Sequence, residues 1–286
     1  MTNADRSARS VQVSAYHLEV DTAVAELEAA LTADADVSEA MGVLDHAFRG
    51  PVALEIMDRL PYSRAHLLTE AHRELERPKP GSASNARTHV GLVRILLLHQ
   101  MDVMWWSEVE PYADDAAVEH APELRSLPTL QEAGALRFRF ATQPDALWGR
   151  GRDYMLRRLA TRRRPNVSGM KFLVARPEIV AVLNEIADAL KRRAPKGTPP
   201  LWVNSTVRSV EHQMHLSSLG YSALLPSSHC LGFGADVEMA WFERFGAYDA
   251  LRAILFDYRD GDVLNIIDEG QAWHLCLSPD HLSAYS

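Results

Sequence analysis

Three side chains near the end of this chain have the types and spacing to hold a metal: His229, Asp236 and His274. Two imidazoles and one carboxylate make a workable ligand set for a catalytic zinc, with a further position left for water or substrate. The first two lie in Ser227-Ser228-His229-Cys230-Leu231-Gly232-Phe233-Gly234-Ala235-Asp236, the third in Trp273-His274. A strand from Phe233 to Glu238 would turn Asp236 to one face, and Gly232 and Gly234 would let the chain from His229 come close. Trp273 to Leu277 alternates and stops before Pro279, so it reads as a second strand. His274 can then meet Asp236 across a sheet. The bland alternative has the two histidines as hydrogen-bonded core residues and Asp236 as a turn carboxylate.

The pattern Ser-x-His-x-x-Gly-x-Ala-x-Asp followed by Trp-His resembles the D-alanyl-D-alanine carboxypeptidase and dipeptidase zinc peptidases, a group that includes the endolysin L-alanyl-D-glutamate peptidases. Gly234 stands where that family has Ala, and Ala235 follows one place later. Upstream, Ser205-Thr206-Val207-Arg208-Ser209-Val210-Glu211-His212-Gln213 is similar to the family's Tyr-Arg-Ser-x-x-x-Gln element. The resemblance covers the last third of the chain. It implies Zn2+ held by His229, Asp236 and His274. Arg208 would donate to a developing oxyanion, and Ser227, Gln213 and Trp273 would bind substrate or support the metal shell.

One departure matters. The family's general base is a Glu three residues before the last His, and that position is Gln271 here. A carboxamide cannot take up and return a proton near neutral pH. Glu269 is the first substitute and Asp268 the second, both in a turn with Gly270, where the expectation is that Glu269 points to solvent. Glu238 comes next.

Composition sets the frame. The 286 residues are 47% hydrophobic, enough for one large or two ordinary domains. A formal charge of -8 argues against nucleic acid as the partner. The two cysteines, Cys230 and Cys276, imply no disulfide framework and read as small buried residues. No apolar signal core follows Met1 to Arg6, and the most apolar run, Val90 to Trp106, is interrupted by Arg94, His99 and Asp102. That run reads as a buried helix, so no membrane contact and a cytoplasmic protein are expected.

Elements to position the site follow from periodicity. Helices are expected over Val11 to Leu31, from Asp36 or Ser38 to about Gly50, from Pro51 to Leu60, over Ser63 to Arg77, and as one long helix from Ala86 to Val109. Pro78 to Ser84 is a loop by composition. The early histidines, among them His17 and His99, share no metal-ligand spacing and read as ordinary polar residues. Trp105-Trp106 reads as packing, and Glu108, Glu110, Asp114 and Asp115 as a solvated face and helix cap. Leu136 to Phe140 suits a short strand. The arginines between Arg150 and Arg164 suit either a helix pairing with acidic neighbours or a site for an anionic substrate. Pro177 to Arg193, Ser209 to Leu219 and Met239 to Tyr258 read as helices, Leu201 to Ser205 and Val263 to Ile267 as strands. His212 and His215 share a helix face, but no third ligand lies nearby.

The expected fold is therefore α+β: a helical, bundle-like region over residues 1–140, then a small antiparallel sheet with helices over 141–286. The expected activity is zinc-dependent hydrolysis of a peptide or amino-acid-derived amide, as in a metallopeptidase of the carboxypeptidase type. A non-peptidase tailoring reaction and a zinc-fold binding protein without turnover stand as alternatives.

Overall fold

A computed structural model describes residues 12–33, 35–77, 86, 88–142, 165, 169–219 and 224–286. The Pro78 to Ser84 loop and the arginines between Arg150 and Arg164 lie outside the described residues. The fold is α+β. Helices come first: α1 Val13–Thr32, α2 Val37–Ala47, α3 Pro51–Asp58, α4 Arg64–Leu75, α5 His89–Leu98 and α6 Gln100–Trp106. Their ends follow capping chemistry. Asp36 accepts from Glu39 N at 2.8 Å and Thr88 from Gly91 N at 3.0 Å, while Pro51 opens α3 where no amide donor is needed. The long helix expected from Ala86 to Val109 is instead the pair α5 and α6. They are separated by a turn at His99, still in the right-handed region at φ -64° and ψ -15°, whose ring centroid lies 4.5 Å from that of His274.

The later elements are α7 Asp115–Glu119, β1 Arg125–Ser126, α8 Leu127–Glu132, β2 Arg139–Phe140, β3 Val174–Ala175, α9 Pro177–Arg193, β4 Trp202–Ser205, α10 Val210–Ser218, β5 Gly234–Glu238, α11 Ala240–Glu243, α12 Tyr248–Asp260, β6 Leu264–Asp268 and β7 Ala272–Leu277. Met239 to Tyr258 is thus two helices, parted by a turn in which Gly246 has φ +62°. Strands β1 and β3 form an antiparallel pair. The larger sheet has the order β2-β4-β5-β7-β6 and is antiparallel except at its edge, where β2 runs parallel to β4.

Strand alternation gives this sheet two different faces. Ala235, Val237, Leu264, Ile266, Trp273, Leu275 and Leu277 pack with α9 and α12. From α9 come Ile179, Leu183, Ile186 and Leu190, each worth about 2 kcal/mol when fully buried. Leu127 and Phe138, before residue 141, belong to the same cluster. The opposite face carries Asp236, Glu238, His274, Cys276, Asn265 and Ile267. Ile267 joins the helical core of Tyr16, Leu27, Leu44, Ile56, Leu67 and Leu97. The helices therefore cover the face on which the chemistry-bearing residues stand. Among the described residues, no helix is long and apolar enough to cross a membrane.

Candidate metal centre

Pairing of β5 with β7 sets Asp236 directly opposite His274, as alternation predicts. His229 arrives from a 3-10 turn, Ser228–Leu231, closed by Gly232 at φ +77°. A Cβ on Gly234 would stand 2.9 Å from His229 N and 2.7 Å from Ser228 Oγ, so the return of the chain needs a bare Cα there. The loop after β4 lies beneath: Arg208 N donates to His229 O at 3.1 Å.

The three side chains converge on one atom. His229 Nε2 and His274 Nδ1 each lie 3.0 Å from Asp236 Oδ1. Those separations are close to the ~3.3 Å edge of a tetrahedron with zinc bonds of ~2.0–2.1 Å. His229 Nδ1 is 2.5 Å from the carbonyl of Thr206. A carbonyl only accepts, so Nδ1 carries the hydrogen and the Nε2 lone pair faces a carboxylate oxygen. Two facing lone pairs need a cation between them. Burial, with the neighbouring Arg208, pushes the His229 imidazole below its ordinary value, which disfavours a second proton as that cation. A divalent ion fits this donor set. For His274, burial alone would lower the imidazole, but hydrogen bonds to Asp102 and Asp236 outweigh it and raise it to about 10.

Arg208 holds the far side of Asp236. Its guanidinium reaches Asp236 Oδ2 at 2.5 Å, Ser205 Oγ at 3.0 Å and Gln213 Oε1 at 3.2 Å. Gln213 in turn donates to Leu224 O at 3.0 Å. Gln213 thus positions Arg208, whose side chain remains 20% exposed. Asp236, buried but beside His229 and Arg208, is held well below the usual carboxylate range.

Other predicted site residues are placed differently. Trp273 is buried on the opposite face, between Tyr248 and Phe256, and does not reach the centre. Ser227 is buried, and it is Ser228 whose hydroxyl reaches Asp102 at 3.0 Å and His274 Nε2 at 3.2 Å. Gln271 is exposed at the hairpin tip between β6 and β7. Glu269 was expected to face solvent; instead its side chain is only 14% exposed and lies 3.5 Å from His99 Nε2. Burial would raise its carboxyl, but the bond with His99 holds it below its ordinary value. Glu238 caps α11, accepting from Trp241 N at 3.0 Å and Asn204 at 3.3 Å.

Local spacing gave no warning of Asp102 and His99. They are buried on and beside α6, with His99 Nδ1 3.4 Å from Asp102 Oδ2. The available signal was the pair of polar residues at i and i+3 inside an apolar run. Together with His274 they form a second cluster of ligand type. All members of both clusters are buried and His274 is shared between them; in the second, Ser228 Oγ lies 3.0 Å from Asp102 and 3.2 Å from His274 Nε2. His212 and His215 have ring centroids 6.4 Å apart and join neither cluster. Both cysteines are free and buried; burial pushes the Cys230 thiol up to about 11. Trp106 stacks on Phe233 with ring centroids 3.6 Å apart.

No family model matches this chain, and no curated protein or solved structure is found to be similar to it.

Proposed function

We propose that this protein is a zinc-dependent hydrolase of small peptide or amino-acid-derived amides, of the kind its sequence resembles. One observation carries the reading: two imidazole nitrogens, His229 Nε2 and His274 Nδ1, stand 3.0 Å from the same carboxylate oxygen of Asp236. His229 Nε2, Asp236 Oδ1 and His274 Nδ1 would hold the ion. Zinc bound there supplies Lewis acidity, polarising a carbonyl and acidifying water.

The chain's own groups supply the rest. Glu269, ionised near neutral pH and held against His99 at 3.5 Å, takes the role of general base in this reading: it accepts a proton from the attacking water and returns it to the leaving nitrogen. Gln271 is exposed at the hairpin tip, and the buried Glu269 is the carboxylate this reading puts in its place. Arg208 uses three of its N–H donors on Asp236, Ser205 and Gln213, and a guanidinium has five. The remaining donors can meet negative charge that develops on a substrate carbonyl. Binding without turnover is the reading that Gln271 alone would favour.

The test is hydrolysis of a dipeptide panel that includes D-alanyl-D-alanine, by zinc-loaded protein, with and without chelator. Turnover that disappears with chelator and in Glu269→Gln supports the proposal. Zinc-loaded protein that binds these dipeptides without cleaving them would replace it with the binding reading.

A further inference from the structure

The helical region contributes to the centre a carboxylate that no zinc-peptidase motif marks. Asp102 stands on α6 with a side chain 1% exposed. Its Oδ2 lies 2.9 Å from His274 Nε2 and accepts from Ser228 Oγ at 3.0 Å. Its Oδ1 accepts from Asn265 Nδ2 at 2.7 Å. Asn265 also donates to Leu98 O at 3.1 Å, and its own Oδ1 lies 2.7 Å from His17 Nε2. A buried chain therefore runs from α1 through β6 and α6 to the imidazole of β7. Asn265, 0% exposed, is fixed by its partners, since its amide donates to two carbonyl-type oxygens and its oxygen faces a histidine nitrogen.

Donor bookkeeping gives this chain a direction. A carboxylate can only accept, so the hydrogen between Asp102 and His274 belongs to Nε2. Asp236 is a carboxylate too, so without a metal the ring carries a hydrogen on each nitrogen and a positive charge. An ion that displaces the Nδ1 hydrogen leaves a neutral ring with its hydrogen on Nε2 and its lone pair on Nδ1. That nitrogen is the one facing Asp236 Oδ1, on the side where His229 Nε2 also points. The other tautomer would aim an N–H into the centre and leave the Asp102 side with two facing lone pairs. Histidine ligands of metals commonly carry such an outer carboxylate, which fixes the ring and raises its basicity.

We propose that Asp102 is a positioning residue for the metal centre: it selects the Nε2–H form of His274 and holds the ring so that Nδ1 faces the ion. The inference rests on the zinc reading given above. It makes the helical region part of the centre and not a cover added to it.

Zinc affinity, measured by competition with a chelating dye, tests this without any need for turnover. Asp102→Asn and Asp102→Ala should each bind zinc ~10- to 100-fold more weakly than wild type. Ser228→Ala, which keeps the carboxylate, should lose much less. In zinc-loaded wild type, nitrogen-15 NMR of the imidazoles should show the His274 hydrogen on Nε2, a reading that needs no variant to fold. Folded Asp102 variants with wild-type affinity, or a hydrogen on Nδ1 of His274, would overturn the assignment. Wild type that takes up no zinc would remove the metal reading itself, and this inference with it.

Discussion

Replacing His17 with Gln should change how stability responds to acid. His17 is 4% exposed on α1, and its Nε2 meets Asn265 Oδ1 at 2.7 Å. Burial pushes its imidazole from 6.5 down to about 4, with the Asn265 bond opposing and Arg259 and Arg94 adding to the fall. The unfolded chain therefore takes up this proton first as pH drops. The stability that neutral His17 provides is complete above 6.5 and is lost as pH falls toward about 4. The whole interval is worth about 3 kcal/mol, and roughly 2 kcal/mol of it is gone by about pH 5. Gln keeps a donor for Asn265 and does not titrate. Urea unfolding of both proteins near pH 8 and near pH 5, with chelator present so that bound metal adds nothing, isolates the effect. The advantage of wild type over His17→Gln should shrink by about 2 kcal/mol between the two conditions. Other titrating groups are common to both proteins and cancel. Parallel pH dependences would refute the reasoning and mean that His17 is already neutral in the unfolded chain or accepts a proton freely when folded.

Three further outcomes follow from the site. Arg208→Ala should destabilise metal-free protein by on the order of 2 kcal/mol, less than the ~3–5 of a fully buried pair because the guanidinium is partly exposed, as read by urea unfolding. Zinc should reduce that loss by neutralising Asp236, while turnover should still fall by about a hundredfold. Glu269→Gln should abolish hydrolysis in a dipeptide assay and leave zinc content unchanged, whereas Gln271→Glu should alter rates little because that side chain lies in solvent. Gly234→Ala should cost about 1–3 kcal/mol in unfolding and weaken zinc binding, because its Cβ can be accommodated only by moving the His229 backbone.

The strand half of the site was legible in the sequence because its information is local. Alternation around His274 and the turn residues before Gln271 specify a hairpin, and Asp236 falls on the matching face of β5. Gly232 and Gly234 announced a tight return, and both are needed for it. The sheet's parallel edge was not legible, since β2 is two residues long and is paired by tertiary contact. Asp102 and Asn265 escaped for a related reason. Each is a single polar residue in an apolar element, and what it pairs with is decided by packing α5 and α6 on the sheet. The orientation of Glu269 has the same origin: turn chemistry predicts exposure, but His99, delivered by the break between α5 and α6, draws the carboxylate inward. The Trp-His pair also misled in one respect, because strand alternation must bury Trp273 on the face opposite His274.

The most direct test of the metal centre is the metal content of protein dialysed against limiting zinc, measured by elemental analysis for wild type, His229→Ala and His274→Ala. The account predicts one zinc per wild-type chain, and loss of it in both variants while the fold persists by circular dichroism. Wild type that emerges without metal, or variants that keep a full equivalent, would contradict it.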